Sequence, residues 1–193
     1  MYNFAYALSN ARENGSCGFS LYLSLMTRIL FLQGIHNFSL REGFLKEVSE
    51  ATGLPVDHFP MHYGLNDMKK HRELIGKANA LIEGSDDRFI VLGHSFGGEL
   101  AYCLSDAAYQ KIDRIVTFAS PHKLSFARRR GLPFRENVPV ASRDSYGFYF
   151  DPVVPFFLTK HPTARAHKNV VGTHTRVPDR AAFFRKLVLG DAS

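Results

Sequence analysis

A serine in a glycine-rich turn is the residue of this sequence best placed to do chemistry. Ser95 is the centre of the run Gly93-His-Ser-Phe-Gly97, which fits the pattern G-x-S-x-G. The apolar residues 89–92 predict a buried strand before it, and an apolar face over 99–108 predicts a helix after it. A serine between a strand and a helix is typical of a nucleophile elbow, a tight turn that exposes the hydroxyl.

The glycines of this turn have a steric role. The helix must pack closely against the strand, so Gly93 and Gly97, two positions on either side of Ser95, must be nearly free of side chain. Gly98 adds a third such position. A phosphate-binding turn is the competing interpretation, but the sequence lacks the P-loop lysine and the G-x-G-x-x-G spacing.

A serine hydroxyl needs a base, usually histidine, and the histidine needs a carboxylate that fixes its tautomer. Asp151 directly follows the predicted strand 146–150, and His174 follows the predicted strand 168–172. Read alone, the first is an Asp-Pro turn residue and the second an exposed loop histidine. Their chain order and their place at the strand ends that Ser95 shares predict a catalytic triad.

Other histidines and one other acid compete for these roles. His161 and His167 lie between the predicted acid and the last strand, and they stay open as alternative bases. His94 lies inside the turn, and His122 precedes the acid in the chain, which is the wrong order. Asp144 precedes its predicted strand, which disfavours it as the acid.

The segments around these residues predict alternating strands and helices. Such alternation predicts an α/β protein with a roughly six-stranded, mostly parallel sheet and helices on both faces. The segment 123–144 has no strong period, which favours a lid or a binding loop. The predicted strands are 29–32, 56–63, 89–92, 114–119, 146–150 and 168–172; a capping box at 39–42 opens a helix that ends at Gly53, and further helices cover 65–82, 99–108 and 178–188.

The N-terminal segment is harder to place. Residues 1–28 are assigned to a peripheral extension, and 29–193 to a single domain. The apolar run 17–26 is too short to span a bilayer, and the segment lacks the pattern of a secretory signal, so a cytoplasmic location is expected.

Composition limits the classes of function. The 193 residues are 45% hydrophobic and 22% charged, as in one globular domain. Two cysteines make no disulfide framework, and Cys103 is expected to be a buried free thiol. No metal-binding spacing occurs, so neither metal nor cofactor is predicted. The net charge of +6 is compatible with peripheral contact with an anionic membrane, with an acidic partner, or equally with a basic solvated face, and no nucleic-acid motif accompanies it. The oligomeric state is left open.

These motifs resemble the lipase and esterase branch of the α/β-hydrolase superfamily over roughly 29–190. Gly-His-Ser-Phe-Gly-Gly resembles the lipase elbow, 116–122 the segment after the next strand, and Asp-Pro-Val-Val-Pro at 151–155 the acid loop of fungal-type lipases. The resemblance implies a minimal α/β-hydrolase fold without a large cap domain. It also implies that Ser95 is the nucleophile, Asp151 the acid and His174 the base.

An oxyanion hole is the remaining part of such a site, and it needs two hydrogen-bond donors. The backbone N–H groups of Phe96 and Ile35 are the expected donors, because Gly34 allows close approach of the turn. The family often has His-Gly where this sequence has Gln33-Gly34. The implied activity is cleavage of small-molecule or lipid carboxylic esters. A thioesterase, an acyltransferase and a non-catalytic lipid- or acyl-binding module remain alternatives.

Overall fold

The centre of the structure is one sheet of six parallel strands, in the order β2-β1-β3-β4-β5-β6. The computed structural model describes residues 26–35, 43–149, 151–171 and 180–189, and of Phe156 and Arg180 it describes only the backbone. All five strand pairings are parallel, so the strands end at the same edge of the sheet. The strands are β1 (Thr27–Leu32), β2 (Val56–His58), β3 (Arg88–His94), β4 (Ile112–Phe118), β5 (Ser142–Phe148) and β6 (Ala166–Val170).

Helices cover both faces of the sheet, as predicted. The described α-helices are α1 (Phe44–Thr52), α2 (Met68–Gly84), α3 (Phe96–Leu100), α4 (Asp106–Tyr109), α5 (Phe126–Arg129) and α6 (Arg180–Leu189). Side chains of β1 alternate between the faces: Leu30 packs with the helices of one face, whereas Ile29 and Phe31 pack against α1 and α6. This period of two makes both faces of a central parallel strand apolar.

The second predicted strand, 56–63, is shorter than expected. β2 ends at His58, two residues before Pro60, which has no N–H to donate to a ladder. Tyr63 is instead buried beside β1, where its hydroxyl donates to the backbone carbonyl of Gln33. The first strand begins at Thr27, two residues before the predicted Ile29.

The last two strands are shifted relative to their predicted bounds. β5 begins at Ser142 and includes Asp144, because Arg114 on β4 pairs with this buried carboxylate at 2.6 Å. Asp144 therefore lies inside its strand and does not precede it, which is a correction. β6 spans Ala166–Val170, so His167 also lies inside a strand, where the prediction placed it before one.

Helical segments also differ from the prediction. The helix after Ser95 is broken: α3 continues as a 3-10 turn over Ala101–Cys103, the chain extends at Leu104, and Ser105 caps a separate helix α4. Ser105 accepts a hydrogen bond from the Ala108 N–H at 3.0 Å, which is typical of an N-cap. The helix predicted over 65–82 begins at Met68 behind its cap residue Asp67.

The segment 123–144 has more structure than the predicted lid or binding loop. A 3-10 turn over His122–Leu124 and helix α5 occupy its first part, and β5 begins before it ends. The capping box at 39–42 and the predicted extension up to residue 25 lie outside the described residues. Among the residues that are described, no helix combines the length and the apolar character needed to cross a membrane.

Candidate active site

Ser95 lies at the carboxyl edge of the sheet, in the turn that joins β3 to α3. Its backbone has φ 53° and ψ −130°, a region that residues with a side chain rarely adopt. Such a conformation costs about 1–3 kcal/mol and persists only where the surroundings hold it. Here the Ser95 N–H donates to the Phe118 carbonyl at 3.0 Å, and the Gly98 N–H donates to the Ser95 carbonyl at 3.0 Å. The side chain is largely buried, with 9% of its surface exposed.

Three glycines leave no room for side chains around this turn. A Cβ at Gly93 would lie 2.6 Å from the Cα of Gly98, and a Cβ at Gly98 would overlap Ser120. A Cβ at Gly97 would overlap the carbonyl oxygens of Leu32 and Gln33. Gly97 is therefore packed against the end of the neighbouring strand β1, and the reason for glycine there is steric, as predicted.

Replacing Gly97 with alanine is expected to destabilise the protein by at least about 3 kcal/mol, because the overlapping atoms belong to backbone and cannot rotate away. The matched control is Gly76→Ala on α2, where an added Cβ meets nothing within 4 Å. That change should be neutral or stabilising by up to about 1 kcal/mol. Urea unfolding of the two variants measures the difference, and equal stability would contradict the packing described for Gly97.

The turn after β1 touches Ser95 from the other side. A Cβ at Gly34 would lie 2.6 Å from the Ser95 Cβ and 3.2 Å from its Oγ. The predicted contact between this turn and the serine is therefore present. Phe96 begins α3, and the first N–H groups of a helix have no acceptor within the helix. The backbone of Ile35 follows Gly34 directly, and its side chain packs partly buried against the core.

A hydrogen-bond network that the sequence did not reveal holds this turn. The buried Gln33 side chain donates through Nε2 to the Met61 carbonyl, and its Oε1 lies 2.9 Å from His58 Nε2. Tyr63 donates to the Gln33 carbonyl. Gln33 thus connects the turn to the segment after β2. Because its partners are at least 25 residues away in sequence, no local pattern indicates the network.

Asp151 is buried beyond the end of β5, with 6% of its surface exposed. Its Oδ1 accepts hydrogen bonds from the N–H groups of Val153 and Val154, both at 2.8 Å. The residue is thus the turn residue that its Asp-Pro sequence indicates, and it is also a carboxylate at the edge that Ser95 shares. A carboxylate offers about four lone-pair sites, so these bonds do not exhaust its capacity to accept from an imidazole.

His174 lies outside the described residues, within 172–179. The chain is described up to Val171, which directly follows β6. The Tyr149 N–H donates to the Val170 carbonyl at 3.2 Å, so the ends of β5 and β6 lie side by side. The described end of β6 therefore lies beside the end of β5, which Asp151 follows.

His161, one of the two alternative bases, is fully buried away from the serine. Its ring stacks on Tyr102 with centroids 3.8 Å apart, and its Nδ1 accepts from the Thr163 N–H at 3.2 Å. Burial lowers the pKa of His161 to about 4, which makes it a weak base. Tyr102 follows Ser95 by seven residues, about 10 Å along a helix.

His167, the other alternative, is three strands away from the serine. It pairs in register with Ser145 on β5, then with Thr117 on β4 and Gly93 on β3. At about 4.8 Å per strand this is roughly 14 Å, beyond the reach of a side chain fixed in a strand. Its Nδ1 lies 2.9 Å from the Ser145 hydroxyl, and burial lowers its pKa.

His94, set aside because it lies inside the turn, and His122, disfavoured by the chain order, are both buried in aromatic surroundings. His94, the last residue of β3, stacks on Phe118 with centroids 4.8 Å apart. His122 Nε2 lies 2.8 Å from the Thr117 hydroxyl, and burial holds the pKa of His122 well below its usual value. Their contacts give both histidines a packing role.

Glu99 is a further buried carboxylate near the serine that sequence reasoning missed. It lies on α3, and its Oε2 accepts from the Ala127 N–H at 2.6 Å, at the start of α5. Ser125, the N-cap position of α5, makes no side-chain cap bond, so Glu99 supplies that function from another helix. Burial raises the pKa of Glu99 to about 7, against the hydrogen bonds from Ala127 and Phe126 and the charges of nearby arginines.

This carboxylate should make stability depend on pH. A folded pKa of about 7 against 4.5 in the unfolded chain means that the folded state binds a proton more tightly. The stability that protonated Glu99 contributes is fully present below pH 4.5 and is lost as the pH rises through 7. The free energy of unfolding falls by about 3 kcal/mol over this range. Glu99→Gln should lack this loss and keep the bond to Ala127.

Urea unfolding at pH 5 and pH 8 compares wild type with Glu99→Gln, and the exposed Glu50→Gln on α1 is the control. The stability difference between Glu99→Gln and wild type should grow toward pH 8, whereas Glu50→Gln should follow the wild type. Parallel curves for wild type and Glu99→Gln would show that Glu99 titrates normally in the folded protein.

The described residues hold no group of three or more histidine, cysteine or acidic side chains placed to bind a metal ion. Cys103 is a buried free thiol, as predicted, and burial raises its pKa. Cys17 lies outside the described residues.

Comparison with known proteins supports the fold. The family model of the PGAP1-like alpha/beta domain matches residues 65–138, which include Ser95 and its glycines. No curated protein sequence matches the chain.

Solved structures of α/β hydrolases resemble the chain along most of their length. Polyneuridine aldehyde esterase has a TM-score of 0.60 at 12% identity, covering 87% of this chain and 100% of the esterase. An extracellular alpha/beta-hydrolase from a Paenibacillus species has 0.57 at 15% identity, with coverage of 87% and 100%. The monoacylglycerol lipase of Paleococcus ferrophilus has 0.54 at 10% identity, with coverage of 86% and 97%. The chain therefore has the α/β-hydrolase fold, which confirms the resemblance to this superfamily.

Proposed function

We propose that this α/β-hydrolase chain is a serine hydrolase that cleaves carboxylic esters through an acyl-enzyme on Ser95. The observation that carries the proposal is the backbone of Ser95, held at φ 53° between a buried strand and a helix with Gly34 against its side chain. Strain of this kind, maintained by three glycines, has a purpose when the turn must present a hydroxyl at the sheet edge. The nucleophile elbow is thus part of the proposal.

In the proposed reaction, His174 removes the proton of Ser95 as Oγ attacks the ester carbonyl. The protonated imidazole then donates this proton to the departing alcohol, and the acyl group stays on Oγ. A water molecule, deprotonated by the same imidazole, releases the carboxylic acid and restores the serine. Asp151 holds the imidazole in the tautomer that can accept the proton.

We choose His174 as the base because neither of the two alternative histidines is placed to reach Ser95. His161 is buried against Tyr102, and His167 is fixed in β6 about three strand spacings, roughly 14 Å, from Ser95. Neither can reach the serine without unfolding its surroundings, whereas His174 follows the end of β6. The chain order of nucleophile, acid and base also matches that of α/β hydrolases.

The oxyanion would be bound by the N–H groups of Ile35 and Phe96. Phe96 belongs to the turn after β3 and Ile35 to the turn after β1, and these two turns meet at Ser95. The hydrogen bonds of Gln33 hold the turn after β1 in place. Donors that are fixed before the reaction stabilise the developing charge without reorganisation. Partly buried apolar side chains near this turn, those of Ile35, Phe59, Met61 and Leu65, offer a wall for an acyl chain.

A panel of p-nitrophenyl esters tests the proposal. We expect turnover of the acetate and octanoate esters and slower turnover of palmitate, because the described fold offers no large cap domain over a long chain. A thioester substrate and an added alcohol acceptor distinguish a thioesterase or an acyltransferase. Binding of a fatty acid without turnover of any ester would instead support a non-catalytic acyl-binding module and overturn the proposal.

A further inference from the structure

The edge of the sheet beside Asp151 carries a cluster of exposed apolar side chains. Six large apolar side chains of the described residues are more than half exposed, and four of them belong to this edge. We call these four the rim patch: Tyr149 (55% exposed), Val153 (65%), Phe157 (54%) and Val171 (57%). Single exposed apolar residues are ordinary, but a cluster beside a candidate site indicates an interaction surface.

The rim patch is held by ordered backbone. Tyr149 and Val171 extend strands that are joined by the Tyr149 N–H bond to Val170, and Asp151 binds the N–H of Val153. Phe157 lies in a 3-10 turn that the bond from the Leu158 N–H to the Pro155 carbonyl closes at 2.8 Å. The patch is therefore a fixed feature of the surface.

Buried neighbours fix the direction of the patch. Val154 is 5% exposed while Val153 is 65% exposed, and Thr159 is 1% exposed two residues after Phe157. The same turns therefore place one side chain in the core and the next in solvent. Since the inward residues anchor the turns, the outward ones cannot turn into the core without displacing them.

The exposed charged side chains that the structure describes beside the rim patch are basic. Lys160 follows Phe157 by three residues, and Lys123 belongs to the 3-10 turn over His122–Leu124, which lies beside the turn of Phe157. Asp151, the acid of the same loop, is buried. An apolar patch beside basic side chains complements a bilayer whose headgroups are anionic.

We propose that the rim patch docks on the surface of an anionic lipid bilayer, with its apolar side chains at the headgroup boundary and Lys123 and Lys160 facing the lipid phosphates. Asp151 lies in the same loop, so docking would bring the candidate site to the lipid. That the bilayer supplies the substrate rests on the proposed function, whereas the docking itself does not.

A fluorescence experiment tests the docking directly, because the chain contains no tryptophan. Phe157→Trp places a single reporter in the rim patch, and Met26→Trp places one at the opposite edge, where Met26 is 57% exposed before β1. Vesicles of phosphatidylcholine with about one third phosphatidylserine should shift the emission of Phe157→Trp to the blue and leave Met26→Trp unchanged. No shift, or an equal shift of both variants, would overturn the proposal.

Vesicle sedimentation of the full chain measures the contribution of each part. Phe157→Ser should lower the bound fraction at least about tenfold. An aromatic side chain that becomes buried in the bilayer on docking contributes that much or more to the partition of the protein onto vesicles. Met26→Ser is its control and should bind as wild type. Phe157→Ser should still hydrolyse a water-soluble acetate ester normally, which separates loss of docking from loss of the enzyme.

Charge is tested with two double variants of equal net charge. Lys123→Glu with Lys160→Glu should reduce binding at least about tenfold, since each basic residue at a lipid surface contributes about fivefold. Lys46→Glu with Lys69→Glu, on helices α1 and α2, should reduce it much less. Docking on anionic lipid would be contradicted by equal effects of the two double variants, or by equal binding of the wild type to pure phosphatidylcholine vesicles. A dimer that forms with rising protein concentration and does not bind vesicles would contradict it as well.

Discussion

Replacing Ser95 with alanine is expected to lower the rate of ester hydrolysis by about 10⁴- to 10⁶-fold, because the acyl-enzyme cannot form without the hydroxyl. The fold should be unchanged. Alanine keeps the Cβ that already packs against Gly34, and the strained backbone at φ 53° carries a Cβ in both proteins. Initial rates on p-nitrophenyl octanoate measure the effect, with circular dichroism to check the fold.

Ser125→Ala is the matched control for this substitution. Ser125 also has a positive φ, 48°, but it precedes α5, and its hydroxyl donates to the His122 carbonyl. Its loss should leave turnover within about twofold of wild type, because no step of the proposed reaction uses it. A Ser95→Ala protein that is folded and fully active would contradict the proposed mechanism.

Replacing His174 with alanine should have an effect of the same order, about 10⁴- to 10⁶-fold on the rate, because the serine then has no base. Turnover by the wild type should also fall on the acid side of about pH 6.5, where an ordinary imidazole becomes protonated. Added imidazole should restore part of the activity of His174→Ala by entering the space left by the ring. Stopped-flow or steady-state rates measure both effects.

The two alternative histidines provide the controls. His167→Ala should retain most of the activity, since His167 is bonded to Ser145 in the sheet. His161→Phe keeps an aromatic ring against Tyr102 and should also remain active. If either of these variants loses several orders of magnitude while His174→Ala stays near normal, His174 is not the base, although Ser95 can still be the nucleophile.

The sequence was sufficient for the fold and for the turn around Ser95, because the signals are local. Apolar runs of strand length alternate with helical patterns, and Gly93 and Gly97 stand at fixed distances from the serine. The parallel sheet and the steric need for these glycines then follow from backbone geometry. The position of Gly34 beside the serine followed from the same parallel arrangement.

The parts that sequence reasoning missed depend on contacts between distant residues. The strand β5 includes the polar Ser142 and Asp144 because Arg114, 30 positions before Asp144, pairs with it in the structure. Glu99 caps α5 from 28 positions away, and Gln33 is bonded to the segment after β2 through Met61 and Tyr63. No window of ten to twenty residues contains both members of any of these pairs.

The boundaries of elements were wrong for a related reason. His167 lies within β6, where it bonds to Ser145, although a charged and polar stretch favours a loop when it is read alone. The helix after Ser95 is broken at Leu104, because Ser105 offers an N-cap to a new helix and competes with continuation of the first. A tertiary hydrogen bond thus overrides the local preference at His167, whereas at Ser105 one local preference prevails over another.

Labelling with a fluorophosphonate probe shows whether Ser95 is an activated nucleophile, since the probe reacts with such a serine and reports no substrate preference. We expect one covalent adduct on the full chain, located at Ser95 by mass spectrometry of the peptide that contains 93–97, with no adduct on Ser95→Ala and slow labelling of His174→Ala. An unlabelled wild-type protein that is folded, or an adduct on another serine that persists in Ser95→Ala, would contradict it.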